Sequence, residues 1–139
     1  MEYKKFGSKY VVRLNKGEEI VESLIKFAEE EKVSLANVSG LGAGDYVKFG
    51  LFDVAEKQYH SNEMNMAFEI LSLMGTLSEM NGKPYLHLHI CVGDREGHVF
   101  GGHLNACNIS ATCELVVDVI DGKVDREFSE EIGLNLFKF

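Results

Sequence analysis

From Ile20 to Ala28 the apolar residues Ile20, Val21, Leu24, Ile25 and Ala28 recur at the i, i+1, i+4, i+5, i+8 spacing of one helix face. Glu18 and Glu19 stand in the expected first turn, where negative charge suits the helix dipole, and Glu29 to Glu31 read as a solvated last turn. "NKGEEIVESLIKFAEEEK" is therefore predicted to be the one clear helix. Before it, "SKYVVRLN" is a short β-prone run, and after it almost everything reads as strand. "VSLANVSGLGAGDYVKFGLFDV" carries two short β runs around Gly40, Gly42 and Gly44. "QYHSNEMNMAFEILSLMGTLS" suggests a turn at Ser61-Asn62 followed by a long strand. "YLHLHICVG", "HVFGGHL", "ISATCELVVDVI" and "KVDREF" follow as separate strands, and Pro84 sits at a strand start, where its missing N–H is tolerated. The connections are too short for crossover helices. The expected fold class is α+β: a mostly antiparallel, strongly bent β-sheet with one main helix near the N-terminus.

Alternation along "YLHLHICVG" puts His87, His89 and Cys91 on one face and Leu86, Leu88, Ile90 and Val92 on the other. The aliphatic set is the natural core face. The turn "Asp94-Arg95-Glu96-Gly97" has Asp first and Gly fourth, as a type I turn with a left-handed fourth residue requires. Asp94 then faces His98, and His89 lies opposite His103 with His87 one diagonal step away. Cross-strand partners have Cβ atoms ~5 Å apart and diagonal ones ~7–8 Å, so one ion can reach all three rings. His98 has the opposite parity and belongs to the turn. An all-imidazole set suits a divalent metal, Zn²⁺ first, with Ni²⁺, Mn²⁺ or Fe²⁺ as alternatives. The residues alone leave a second reading open, because His-x-His also lines ordinary wet sheet faces. Gly101-Gly102 beside His103 would admit a close backbone or ligand, or mark a bulge that breaks this register.

Charge and composition narrow the partners. The chain has 139 residues and a net charge of −8, with 14 basic against 22 acidic residues. Its longest basic run is Lys4-Lys5. Phosphate binding draws on Lys and Arg, so nucleic acid is a disfavoured partner. No apolar run approaches the ~20 residues of a membrane span, and no apolar stretch follows the first lysines as a secretory signal would need. The expectation is a cytoplasmic protein of one domain, residues 1–139, with Cys91, Cys107 and Cys113 as reduced thiols. Cys91 has the parity of a further metal ligand but stands beyond the trio.

"VSGLGAG", "FEILSLMGTLS", "HLHICVGDREGHVFGGHL" and "ATCELVV", in this order, resemble the plants-and-prokaryotes conserved (PPC) domain over roughly Lys9 to Phe128. That resemblance implies a single α+β domain forming a homotrimer. Plant members are AT-hook DNA-binding proteins. Prokaryotic members stand alone, and several carry a metal on histidines matching His87, His89 and His103. Two departures weaken a transfer of DNA binding: no "RGRP"-like AT-hook occurs, and Ala67 stands where plant members tend to have Arg before "FEIL". The hairpin is also similar to the metal site of acetolactate decarboxylase, in which the metal acts as a Lewis acid. That likeness makes an enzyme conceivable without naming a reaction, and the His89 to His103 spacing is longer than that enzyme's pattern implies. Two carboxylates are the catalytic candidates, Glu69 in "FEIL" and Glu114 in "CELVV", each with an exposed or interface role as the equal alternative. "GLGAGD" is not a GxGxxG and opens no helix, which argues against a nucleotide site.

Overall fold

The computed structural model describes residues 1–139 as eight strands and one helix. They are β1 (Glu2–Phe6), β2 (Lys9–Asn15), α1 (Ile20–Glu31), β3 (Ala36–Asp53), β4 (Gln58–Met80), β5 (Lys83–Gly93), β6 (Val99–Val119), β7 (Asp125–Ser129) and β8 (Leu134–Lys138). Six strands make one antiparallel sheet in the order β1-β2-β6-β3-β4-β5, and β7 pairs with β8. The sheet curls until β5 also meets β6. That closure needs a long strand. The C-terminal part of β6 pairs with β2 and β3, and its first residues pair with β5.

Period-two alternation builds the core. Tyr10, Val12 and Leu14 of β2 face inward, as do Leu88, Ile90 and Val92 of β5 and Leu115 and Val117 of β6. Helix α1 covers them with Ile20, Leu24, Phe27 and Ala28. Phe27 is the departure from the expected stripe. It is fully buried, whereas Val21 and Ile25 are only half-buried. The ends of the helix differ from expectation as well. Glu19 is the N-cap, accepting from the Glu22 N–H at 2.7 Å, and Glu18 binds the N-terminal amine ahead of the helix. Glu31 is held rather than solvated: the Tyr3 and Tyr10 hydroxyls donate to it at 2.9 and 2.8 Å.

Three sequence expectations are corrected. The glycines Gly40, Gly42 and Gly44 do not separate two strands; they lie inside the 18-residue β3 at its register shifts. A Cβ on Gly42 would stand 2.5 Å from the Thr112 carbonyl oxygen, so the glycines let β3 and β6 approach while the sheet bends. Ser61-Asn62 is not a turn. The β3–β4 turn falls at 54–57, where Lys57 has positive φ, and β4 runs unbroken from Gln58. "HVFGGHL" and "ISATCELVVDVI" are one 21-residue strand, β6. The strands β1 and β8 had no counterpart in the sequence reading.

The β7–β8 hairpin is fastened to the sheet by Arg126, one of two buried polar residues. Its Nε donates to Ser78 Oγ at 2.9 Å and its Nη1 to the Asn135 carbonyl at 2.9 Å. The guanidinium carbon lies 4.5 Å from the Tyr85 ring centroid and 4.2 Å from that of Phe137.

Candidate metal centre

The register of the β5–β6 hairpin follows from its turn. Asp94 N–H donates to the His98 carbonyl, Gly97 N–H donates to the Asp94 carbonyl, and Gly97 takes a φ of 85°. The strands then pair Gly93 with Val99, Cys91 with Gly101 and His89 with His103, as the turn chemistry predicts. No bulge interrupts these pairs. Beyond His103, β6 leaves β5 and continues along β3, with His103 opposite Gly50. Gly102 permits this passage, because a Cβ there would stand 2.5 Å from the Gly50 carbonyl oxygen. Replacing Gly102 with alanine is expected to cost about 1–3 kcal/mol, as overpacking does elsewhere. An unchanged urea midpoint would refute the close-approach account.

The ring centroids of His87, His89 and His103 are 5.2, 5.3 and 5.7 Å apart pairwise. One ring nitrogen from each lies within 4.8 Å of the other two. Three nitrogens on a tetrahedral zinc at about 2.0–2.1 Å would stand about 3.3 Å apart, so small side-chain rotations close the gap. The donor set fits a borderline-soft divalent ion. Burial, and then the charge of His89 and of Arg126, lowers the pKa of His87; burial, and then His87 and His89, lowers that of His103. Both therefore favour the neutral, ligating form at neutral pH.

The trio lies in a cleft of about 840 Å³. Tyr59 and Asn105 flank His103: the Tyr59 hydroxyl donates to the Asn105 side chain, and its ring meets the His103 imidazole edge-on at 6.3 Å. Burial raises the Tyr59 pKa, which keeps the phenol protonated as a donor. Arg126 and the β8 residues Leu134 to Phe137 form another wall. The sequence reading missed Tyr59, Asn105 and Arg126. Only β8 left a signal, the alternation of Leu134 and Leu136.

The other candidates lie apart. Glu69 is exposed opposite Gly93, four residues along β5 from the level of His89, or about 13 Å at ~3.3 Å per residue. Glu114 is exposed opposite Arg13 and Leu41. Neither lines the cleft. His98 stays with its turn, with Nδ1 3.0 Å from Asp94 Oδ2. Cys91 is exposed and lies outside the ligand cluster, whereas burial pushes the Cys107 and Cys113 thiols up to about 12. Iodoacetamide at neutral pH is accordingly expected to label the folded chain once, at Cys91, with the other two reacting only after denaturation. Peptide mapping that finds Cys107 or Cys113 labelled in the folded state would contradict this.

A family model for the Plants and Prokaryotes Conserved (PCC) domain matches residues 1–121. The chain belongs to that family. The match contains all three histidines and ends before β7, so the Arg126 wall lies outside it. Among solved structures, a candidate DNA-binding protein from Bacteroides thetaiotaomicron is 33% identical, with a TM-score of 0.97 over 99% of this chain and 96% of that one. A metal-containing protein from Archaeoglobus fulgidus is 32% identical, with a TM-score of 0.90 over 100% and 99%. A Staphylococcus aureus protein described as similar to alpha-acetolactate decarboxylase shares the fold alone, at 11% identity and a TM-score of 0.54 over 90% and 56%. The curated Bifunctional protein GlmU of a Synechococcus strain is 31% identical over 121 residues, 85% of this chain. This PCC-domain chain spans only 18% of that protein's length. No helix is long and apolar enough to cross a membrane.

Proposed function

We propose that the protein binds one divalent metal ion per chain, zinc first, on His87, His89 and His103, and uses it in small-molecule binding or a metal-dependent reaction. The observation that carries the reading is the convergence of three imidazole nitrogens within 4.8 Å at a cleft wall. The metal-containing relative from Archaeoglobus fulgidus supports it. Three protein ligands would leave a tetrahedral ion one position for a small molecule, and bound zinc would supply Lewis acidity there. The test is elemental analysis of protein purified without a polyhistidine tag. About one zinc per chain is expected, and less than ~0.2 overturns the reading.

The functional form in this proposal is a homotrimer. Exposed Leu41, Leu71, Met74, Val99 and Phe100 supply apolar surface for a self-contact. Light scattering after gel filtration should give a mass near three times 15.5 kDa, and a monomer mass would reject the trimer. A DNA-associated role is the second reading, favoured by the description of the Bacteroides relative and opposed by the net charge of −8. Failure to retard duplex DNA at low salt would remove it.

A further inference from the structure

Arg126 is the one buried charged residue of the fold, at 6% exposure, and no carboxylate lies within ion-pair distance of it. Burying a cation without a counter-charge is costly, and such groups are ordinarily paired. The backbone N–H of Arg126 donates to Asp125 Oδ1 at 2.9 Å, but the partners of the guanidinium are all neutral: Ser78 Oγ, the Asn135 carbonyl, Thr76 Oγ1 at 3.5 Å, and the faces of Tyr85 and Phe137. A guanidinium has five N–H donors, and these three acceptors leave two without a protein partner. Arg126 also lines the cleft that holds the histidines.

Its position relative to the metal centre follows from the sheet register. Thr76 is the direct β4 partner of His87, and Ser78 is the partner of Tyr85. A guanidinium touching both Thr76 and Ser78 therefore lies over the cross-strand partners of His87 and Tyr85, on the face from which His87 projects. A positive fork next to three ligating imidazoles, in a cleft with apolar side chains, is a receptor for a small anion with an apolar body.

We propose that the cleft takes a small organic carboxylic acid, with its carboxylate on the Arg126 guanidinium and its apolar part against Tyr59, Phe52, Leu134 and Leu136. Planar Arg–carboxylate pairing gives the geometric match, and the low-dielectric wall strengthens it. The proposal rests on the histidine centre only for the ligand's second contact, the metal beside His87. Selection by charge is assigned to Arg126 alone. Since β7 and β8 carry this wall, the hairpin that follows the family-matched segment sets which acid fits.

The test compares phenylacetate with phenylacetamide, which share a shape and differ in charge, by ligand-observed NMR titration of zinc-loaded and of chelator-treated protein. Wild-type protein should bind phenylacetate at least ~10-fold more tightly than the amide. Arg126→Met should abolish that preference while leaving zinc per chain unchanged. Because Arg126 also fastens β7–β8, Arg126→Lys is the second variant, keeping the charge but not the fork, and circular dichroism checks both folds. It should retain only a small preference. Equal affinity of the wild type for acid and amide, in either metal state, overturns the proposal without touching the metal reading. A preference that survives Arg126→Met and vanishes on zinc removal also overturns it, placing the carboxylate on the metal. An Arg126-dependent preference that persists after chelation supports the anion site, and less than ~0.2 zinc per chain in the untreated protein separately rejects the metal reading.

Discussion

Phe27→Ala should destabilise the protein by about 3–5 kcal/mol, the range for truncating a fully buried aromatic residue. Phe27 has no exposed surface and meets two rings edge-on, Tyr3 at 5.1 Å and Tyr10 at 5.0 Å. Edge-to-face pairs add about 0.5–1.5 kcal/mol each to the transfer and cavity terms. With a urea dependence of about 1–3 kcal/mol/M, the unfolding midpoint should fall by at least ~1 M. A shift worth less than ~1 kcal/mol would mean that the ring cluster is not part of the core. The variant has a second expected consequence. Hydrogen bonds from Tyr10 and then Tyr3 hold the Glu31 carboxyl below its ordinary pKa. The stability linked to this shift is present above the unfolded-state pKa and is lost as pH falls through the folded value. Loosening the rings should let the Glu31 pKa rise toward its ordinary value, which carboxyl NMR titration can follow.

His103→Ala should reduce zinc affinity by on the order of 100-fold or more. Loss of an outer partner to a ligating histidine already costs about 10–100-fold, and removing a ligand itself should exceed that. His103 is the half-buried member of the trio and the only one on β6, so its removal leaves His87 and His89 on a single strand. A chelator competition assay gives the dissociation constant directly, and elemental analysis should fall below ~0.2 zinc per chain. The fold should survive, because the His103 side chain belongs to the cleft and not to the core. Unchanged zinc content in His103→Ala would assign the ion to other groups.

The legible parts of this fold were those specified locally. The hairpin register came from four turn residues, Asp94 to Gly97, because hydrogen bonds within the turn set the pairing before any distant contact matters. The histidine parity followed from the pleat. The period-3.6 stripe located α1, but it missed Phe27, whose burial depends on Tyr3 and Tyr10 arriving from β1 and β2. The glycines of β3 were misread because missing side chains signal a turn as readily as a close approach. Only the position of β6 decides between them. Ser61-Asn62 failed for a related reason: polar turn formers also suit an exposed strand, and the chain reverses just before them. Arg126 gave no local signal. Its significance lies in the absence of a carboxylate near it in space, which neighbouring residues in the chain cannot disclose.

The separation between the histidines and the wall opposite them has a consequence for how this chain can change. All three candidate ligands fall within 17 consecutive positions of one hairpin, whereas Arg126 and the β8 side chains belong to a later one. If the proposed ion and ligand are bound, substitutions in the second hairpin would alter which molecules fit without touching the histidines, and substitutions in the first would alter the ligand set without redrawing the opposite wall. Two properties that most sites must adjust together are here open to independent variation.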